Sequence, residues 1–226
     1  MCGRYTLRSI DLARLGLDGV TGPGFEEFTE RPRFNIAPSQ RIAVVRLNKE
    51  GHRVIGLVRW GLIPCWAKAL PKVQPINARA ETVPTSGMYK QAFIRRRCIV
   101  PADGFYEWKK LDSKTKQPMF IHFPDDRVFG FAGLWERWKP SDDAESLDTC
   151  TIITTTPNKL LSSIHDRMPV ILKPGDYDKW LDHETDPYEA AKLLKPYPEG
   201  ELEAVAVDRV VNSPKNDTPA CVQPLA

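Results

Sequence analysis

The segments RIAVVRL (residues 41–47) and RVIGLVRW (residues 53–60) flank the short polar stretch NKEGH (residues 48–52). Both segments are rich in β-branched and aliphatic residues, which is typical of strands, and the stretch between them contains a glycine. The pattern predicts a β-hairpin. This hairpin sets the fold prediction, because the segments that follow it along the chain also resemble strands more often than helices.

Further strands are predicted after this hairpin, at residues 97–100, 105–110, 118–123, 128–135, 149–155 and 204–211. Short helices are predicted at residues 9–17, 85–95, 158–164, 175–183 and 188–194, and an exposed acidic loop at residues 139–148. Strands follow one another without regular intervening helices, so the fold class is α+β. We expect a mostly antiparallel, curved, barrel-like sheet with short peripheral helices, forming a single domain over residues 1–226.

Composition and charge exclude several classes of protein. Apolar residues make up 42% and charged residues 27% of the 226 residues, as in ordinary soluble globular proteins. The net charge of +3 permits an anionic partner but falls short of a strongly basic nucleic-acid module. The run of arginines at residues 95–97 is interpreted as a solvated helix end. No apolar run approaches a membrane span, and the N-terminus lacks the apolar core of a signal peptide, so a cytoplasmic protein without membrane contact is expected.

Cysteine and histidine usage argues against a metal site or a bound cofactor. The cysteines are odd in number and widely spaced, without a Cys-x-x-Cys pair, at positions 2, 65, 98, 150 and 221. This spacing argues against a disulfide framework or a zinc site and favours a reducing cytosol. The histidines lie on unrelated segments, which weakens a metal hypothesis further.

The second residue acquires unusual chemistry if Met1 is removed. Cys2 then becomes a 1,2-aminothiol, with an α-amine of pKa about 7.7–8.0 and a thiol of pKa about 8.5. An aldehyde can form an imine with such an amine, and the thiol can then close a five-membered thiazolidine. The alternative is that Cys2 is simply a small apolar residue that packs in the core.

Residues 75–81 (PINARAE) place an amide and a guanidinium two positions apart. If the segment is extended, Asn77 and Arg79 lie on one face. An amide can orient a reacting group, and an arginine can hold a phosphate. The alternative is an ordinary polar loop strand.

Two further segments contain candidate proton-transfer groups. Glu107 lies between aromatic residues in GFYEW (residues 104–108), where desolvation would raise its pKa towards that of a general acid or base. His165 in IHDRMP (residues 164–169) could donate a proton or stabilise an oxyanion. The alternatives are a solvent-facing glutamate and a hydrogen-bonded loop histidine.

Taken together, these segments resemble the SRAP family, named for SOS-response-associated peptidase. The resemblance runs from residue 2 to about residue 215 and rests on seven blocks in order. These are MCGRY (1–5), FNIAP (34–38), RWGLIP (59–64), INARAET (76–82), RCIVPADGFYEW (97–108), ITTTPN (153–158) and IHDRMPVIL (164–172).

The resemblance implies a protein that binds single-stranded DNA and cross-links covalently to abasic sites, shielding the lesion. Cys2 would capture the ring-opened aldehyde as a thiazolidine. Asn77 would position the amine or the sugar, Glu107 would shuttle protons, and His165 would stabilise the developing alkoxide or protonate it. The resemblance also implies a compact α+β fold with a DNA groove, and replication-fork proteins as a further class of partner.

Candidate DNA contacts follow from the same resemblance. Arg4 and Arg79 are expected to contact phosphates near the lesion. Trp66 could stack on a base, and Pro38 belongs to a block that resembles a groove-lining segment of the family. Residues 65–75 (CWAKALPKVQP) depart from the family pattern, which leaves the contacts there undefined.

Two other functions remain open at this stage. One is a cysteine peptidase with Cys2 as nucleophile and Glu107 or His165 as base, whose proteolysis could be limited to loss of its own first residue. The other is a non-covalent binder of single strands or junctions in which Cys2 is incidental. The expected state is a monomer, associated with the nucleoid in a bacterium.

Overall fold

The computed structural model describes residues 2–8, 31–141 and 143–225, so the helix predicted at residues 9–17 lies outside the described residues. Strands dominate the described part of the chain. In chain order they are β1 (Tyr5–Leu7), β2 (Arg33–Ile36), β3 (Arg41–Leu47), β4 (Arg53–Trp60), β5 (Asn77–Arg79), β6 (Arg97–Ala102), β7 (Gly104–Lys110), β8 (Lys116–His122), β9 (Phe129–Trp138), β10 (Leu147–Thr155), β11 (Met168–Pro169), β12 (Ile171–Leu172) and β13 (Glu203–Ala206).

Five strands close a barrel. Their order is β10, β4, β3, β6 and β9, and β9 pairs back with β10. The predicted hairpin forms two of these strands, β3 and β4. They pair in antiparallel register from Arg41 opposite Arg59 to Leu47 opposite Arg53. The predicted fold class, a mostly antiparallel barrel-like sheet with short helices, is confirmed. The exceptions are the parallel contacts that β10 makes with β4 and β5.

A second, antiparallel sheet lies against this barrel in the order β13, β8, β7, β1 and β2. Aromatic rings join the two sheets. Tyr5 packs edge-on against Trp60 and Phe131, at 5.5 and 6.1 Å between ring centroids, and Phe105 packs against Phe131 at 5.9 Å. All four side chains are fully buried, so the core is continuous between the sheets and holds β1 and β7 in place.

The helices are shorter than predicted. They are α1 (Lys90–Arg95), α2 (Lys159–Ser162), α3 (Tyr177–Leu181) and α4 (Pro187–Ala191), with 3₁₀ turns at Pro174–Asp176, Arg209–Asn212 and Pro219–Val222. The strand predicted at residues 204–211 was wrong in its second half, because the Asp208 side chain accepts the Val210 N–H and starts a 3₁₀ turn. None of the helices described is long and apolar enough to cross a membrane.

The interpretation of residues 95–97 as a solvated helix end was wrong for Arg97, which is fully buried. Its guanidinium donates to the carbonyl oxygens of Phe93 at 2.7 Å and of Trp180 at 2.6 Å, and also to that of Asp182. These carbonyls lie at the C-terminal ends of α1 and α3, where helices leave acceptors unpaired. Arg97 therefore fastens both helices to the barrel.

Gly104 begins β7 where no side chain fits, because a Cβ there would overlap the ring of Phe120 and approach Thr6 Oγ1 to 3.1 Å. Phe120 is buried and cannot swing aside. We expect Gly104→Ala to lower the free energy of unfolding by roughly 1–3 kcal/mol. Urea denaturation measures this. Gly175→Ala is the matched control, since no atom lies within 4 Å of a Cβ there, and equal stability of the two variants would contradict the prediction.

Candidate active site

The N-terminal segment reaches the site because β1 pairs with β7 in antiparallel register. The pairing continues beyond β1, since the Tyr106 N–H donates to the Arg4 carbonyl oxygen at 3.0 Å. In an antiparallel pair, each step back along one strand is a step forward along the other. Cys2 is therefore carried to the neighbourhood of Glu107.

The Cys2 thiol is fully buried. Its Sγ donates to the Arg4 carbonyl oxygen at 3.9 Å. Burial raises the pKa of the thiol far above its ordinary value, and the Glu107 carboxylate raises it further. The sulfur is therefore a neutral thiol at neutral pH and needs a group that accepts its proton before it can attack.

Glu107 is the carboxyl group whose charge acts on the Cys2 thiol, and only 2% of the residue is exposed. Burial raises the pKa of its carboxyl group from 4.5 to about 7, with Asp166 adding to the rise and Lys116 opposing it. A carboxyl group with a pKa near 7 can both accept and donate a proton at neutral pH.

His165 completes the cluster from the loop after α2, where its N–H donates to the Leu161 carbonyl at 2.8 Å. Its Nε2 lies 3.9 Å from Glu107 Oε2, and its Nδ1 accepts the Arg167 N–H at 3.1 Å. Burial lowers the pKa of the ring, although Asp166, 2.9 Å from Nδ1, favours the protonated form. Nε2 is therefore the ring nitrogen turned towards Glu107, while Nδ1 lies between the Arg167 N–H and the Asp166 carboxylate.

Asn77 and Arg79 share one face of β5, while Ala78 is buried on the other. The strand runs parallel to β10, with Asn77 opposite Ile152. Asn77 Nδ2 donates to the Ile152 carbonyl at 3.4 Å, whereas Oδ1 is buried and has no hydrogen-bond partner among the described residues. A buried amide oxygen without a donor is a ready acceptor for an N–H group. Arg79 is exposed.

Arg167 ties the His165 loop to the turn after β5. Its guanidinium donates to both carboxylate oxygens of Glu81, at 2.7 and 2.9 Å, and to the Thr154 carbonyl at 2.6 Å. The hydrogen bond from Arg167 also lowers the pKa of Glu81. His165 and the Asn77 strand are thus held at the same end of β10.

Arg4, a predicted phosphate contact, is held by protein groups. Nη1 donates to Asn35 Oδ1 at 2.9 Å and to the Val211 carbonyl at 2.8 Å, and Nη2 donates to the Asn212 carbonyl at 3.0 Å. Asn35 is buried, and its Nδ2 donates to three carbonyl oxygens within residues 211–216. A phosphate contact by Arg4 would replace these bonds and stays a prediction.

The other two candidate DNA contacts lie in the β2–β3 turn and on the segment that follows β4. Pro38 is half-buried in the turn between β2 and β3, beside Ser39, whose φ is 71°. Trp66 is 65% exposed on a segment where Leu70 and Val73 are also exposed. Their contacts with DNA stay predictions.

Sequence reasoning missed three residues that shape the site: Asn35, Lys116 and Arg167. Asn35 belongs to the FNIAP block and Arg167 to the IHDRMP block, so the motifs could have pointed to both residues. Lys116 belongs to no motif, and nothing in the sequence pointed to it. Within residues 2–8, 31–141 and 143–225, no group of three or more His, Cys, Asp or Glu side chains is arranged to hold a metal ion.

A family model described as SOS response associated peptidase (SRAP) matches residues 1–214. The chain belongs to the SRAP family. An X-ray crystal structure of a protein from Bacteroides thetaiotaomicron has the same SRAP-like fold, with a TM-score of 0.88 and 26% identity over the whole of both chains.

Other SRAP relatives have names that describe an activity. The abasic site processing protein YoqW of Bacillus subtilis is 44% identical over 229 residues, covering 99% of this chain and 99% of its own length. The abasic site processing protein HMCES of Xenopus tropicalis is 33% identical, covering 85% of this chain and 66% of its own length. Bacterial and vertebrate SRAP proteins thus share the name.

Proposed function

We propose that the protein processes abasic sites in single-stranded DNA by capturing them covalently through Cys2, which shields the lesion. The names of YoqW and HMCES support the substrate class. One observation carries the covalent mechanism: the buried Cys2 thiol lies beside a carboxyl group of pKa about 7, whose Oε2 is 3.9 Å from His165 Nε2.

The reaction requires removal of Met1, which frees the α-amine of Cys2. The amine adds to the aldehyde of the opened sugar, and the resulting carbinolamine loses one water to give an imine. The Cys2 sulfur then attacks the imine carbon, and the thiol proton passes through the Glu107 carboxylate to the nitrogen. The product is a thiazolidine, formed with net loss of one water and no change in oxidation state.

Each of these steps moves a proton, and the site offers a group for each. The Glu107 carboxylate accepts a proton from the sugar's anomeric hydroxyl as the ring opens, while the Nε2–H of His165 donates to the departing ring oxygen. Protonated Glu107 then assists the loss of water from the carbinolamine. Asn77 Oδ1 accepts an N–H of the α-amine and so orients its lone pair.

A denaturing gel tests the proposal. Mature protein is mixed with a single strand that carries one abasic site, or with the intact strand. We expect a denaturation-resistant band only with the abasic strand, and its loss in Cys2→Ala. Cys65→Ala is the matched control, because Cys65 is an exposed free cysteine away from Glu107, and this variant should form the band at the wild-type rate.

Intact-mass analysis shows whether Met1 has been removed, which decides how the gel is interpreted. Absence of the band from protein that lacks Met1 would contradict covalent capture. Salt-sensitive strand binding that survives Cys2→Ala would then favour a non-covalent binder, and cleavage of an added peptide would favour a peptidase.

A further inference from the structure

A concave pocket of about 460 Å³ lies beside the turn of the β3–β4 hairpin. Its walls come from the hairpin (residues 46–50 and Val54), from β9 (Trp135 and Arg137) and from the segment after α3 (His183). Pockets of this volume hold small molecules. None of the roles proposed above uses these side chains.

The pocket lies at one end of β10, and the loop that carries His165 lies at the other. Asp148, near the start of the strand, accepts hydrogen bonds from both arginines of the pocket. The Thr154 carbonyl oxygen, near its end, accepts one from Arg167. At roughly 3.3 Å per residue, these two positions of the strand are about 20 Å apart. The pocket is therefore separate from the candidate active site.

The pocket has an excess of positive charge that is held in place. Arg46 Nη2 donates to Asp148 at 2.9 Å, and Arg137 donates to the same carboxylate through Nε and Nη2 at 2.7 and 2.9 Å. One carboxylate thus faces two guanidinium groups. Lys49 and Glu50, in the hairpin turn, balance each other. The remaining positive charge attracts an anion.

Three buried nitrogen atoms of the pocket walls have no hydrogen-bond partner among the described residues: Arg46 Nη1, Trp135 Nε1 and His183 Nδ1. The first two are donors, and the third donates in the tautomer that carries its proton there. A buried group without a partner costs about 1–3 kcal/mol, which the oxygens of a bound anion would recover. The three side chains are only half-buried, so small rotations, which commonly accompany binding, turn these atoms towards the pocket.

The depth of the donors favours a small anion over a nucleic acid strand. The Arg46 side chain is only 17% exposed, and Leu47 and Val54 add apolar surface to the walls. A strand binds with successive phosphates along an exposed cationic groove. A carboxylate or phosphate group at the end of a small molecule can instead enter a recess of this kind.

We propose that this pocket binds a small organic anion, whose carboxylate or phosphate oxygens accept hydrogen bonds from Arg46, Trp135 and His183. The apolar part of the molecule rests on Leu47 and Val54. The site goes beyond the proposed function, because it involves neither DNA nor the capture of an aldehyde.

The first test uses succinate and methyl phosphate as probes, with chloride as the reference at equal ionic strength. Binding is followed by NMR through the indole Nε1–H resonance of Trp135, which the Trp135→Phe variant assigns. We expect this resonance to shift with at least one probe until the site is saturated, and the tighter probe identifies the anion as a carboxylate or a phosphate. No shift at about 10 mM of either probe, roughly tenfold above the usual upper limit for small-molecule sites, would overturn the proposal.

Arg46→Gln tests the main donor. It removes a charge-assisted hydrogen bond, so the affinity for the probe should fall about 10- to 150-fold. Arg127→Gln is the matched control, because Arg127 also lies over an aromatic ring, 3.8 Å from the Phe123 centroid, and pairs with Glu201 at 2.9 Å. It lies outside this pocket and should bind the probe like the wild type. Equal affinities of the two variants would contradict the proposed site.

His183→Leu keeps the test valid if Arg46→Gln fails to fold. It removes a nitrogen that has no partner among the described residues and leaves the Asp148 ion pairs intact, so the fold is retained. The affinity for the probe should fall about 2- to 10-fold, and an unchanged affinity would exclude His183 from the site.

An undamaged single strand serves as the third probe. If the strand binds in a way that depends on Arg46 while neither small anion binds, the pocket contacts nucleic acid and the proposal of a small-anion site fails. If a small anion binds and Arg46→Gln leaves strand binding unchanged, the proposal is supported.

Discussion

Glu107→Gln is expected to slow adduct formation by roughly 10²–10⁴-fold, the usual contribution of a positioned acid or base. Glutamine keeps the shape of the side chain but cannot accept a proton from the sugar or from the Cys2 thiol, whose raised pKa leaves it protonated. The measurement is the single-turnover rate at saturating abasic strand and pH 7. Glu199→Gln, at an exposed glutamate, is the control. A single-turnover rate for Glu107→Gln within threefold of the wild-type rate would contradict the proton-transfer role of Glu107.

The pH profile gives an independent check on Glu107. The wild-type rate should rise with pH through about 7, as the Glu107 carboxyl group loses its proton, and should rise further as the α-amine deprotonates at about 7.7–8.0. In Glu107→Gln the lower of these two steps should be absent. Identical profiles would indicate that another group moves the proton.

The same substitution should make the protein more stable at alkaline pH. The Glu107 pKa is raised from 4.5 when exposed to about 7 when folded, so the stability that the protonated carboxyl confers is complete below pH 4.5 and is lost as pH rises through 7. Glutamine does not ionise, so the variant does not lose this stability as pH rises. Its gain in free energy of unfolding at pH 8, relative to the wild type, is at most about 3 kcal/mol. Urea denaturation at pH 5 and pH 8 measures it. A slower yet more stable variant excludes unfolding as the cause of the lost rate.

Arg97→Met is expected to lower the free energy of unfolding by about 3–5 kcal/mol, among the largest effects of any single substitution in this chain. Methionine fills part of the volume but leaves the carbonyl oxygens of Phe93, Trp180 and Asp182 buried without a donor. These bonds come from a charged donor, and each contributes more than a neutral one.

Arg95→Met provides the comparison, because it removes the same charge from an exposed side chain two residues earlier. Its effect should stay within about 0.5 kcal/mol. Chemical denaturation followed by tryptophan fluorescence measures both variants. A loss below about 1 kcal/mol for Arg97→Met would mean that water or backbone shifts replace the guanidinium.

The long strands of this fold could be predicted from local pattern, and the short ones could not. The strands β3 and β4 have the predicted bounds, because seven or eight consecutive residues show their apolar composition clearly. In contrast β1, β2 and β5 have three or four residues each, too few for a periodicity. The parallel pairing of β5 with β10 joins residues far apart in the chain, such as Asn77 and Ile152, which no local pattern encodes.

The sequence motifs name the candidate residues of the site, whose roles stay predictions, but they do not indicate how these residues are held. Cys2, Glu107 and His165 are candidates by their side-chain chemistry together with the SRAP motifs, and the structure places Glu107 Oε2 3.9 Å from His165 Nε2. The hydrogen bonds of Arg4 depend on carbonyls 207 and 208 positions away. The burial of the Arg97 guanidinium depends on where α3 ends, because the carbonyl oxygens of Trp180 and Asp182 accept its hydrogen bonds. Both are consequences of tertiary packing.

The anchoring of Arg4 to residues 211 and 212 has a consequence for biosynthesis. The carbonyls that fix Arg4 lie 207 and 208 residues further along the chain than Arg4 itself. During translation, Cys2 and Arg4 are therefore without these partners until synthesis has passed Asn212. A ribosome that stalls before Val211 would release a fragment that bears Cys2 but lacks the anchor that holds Arg4 in position.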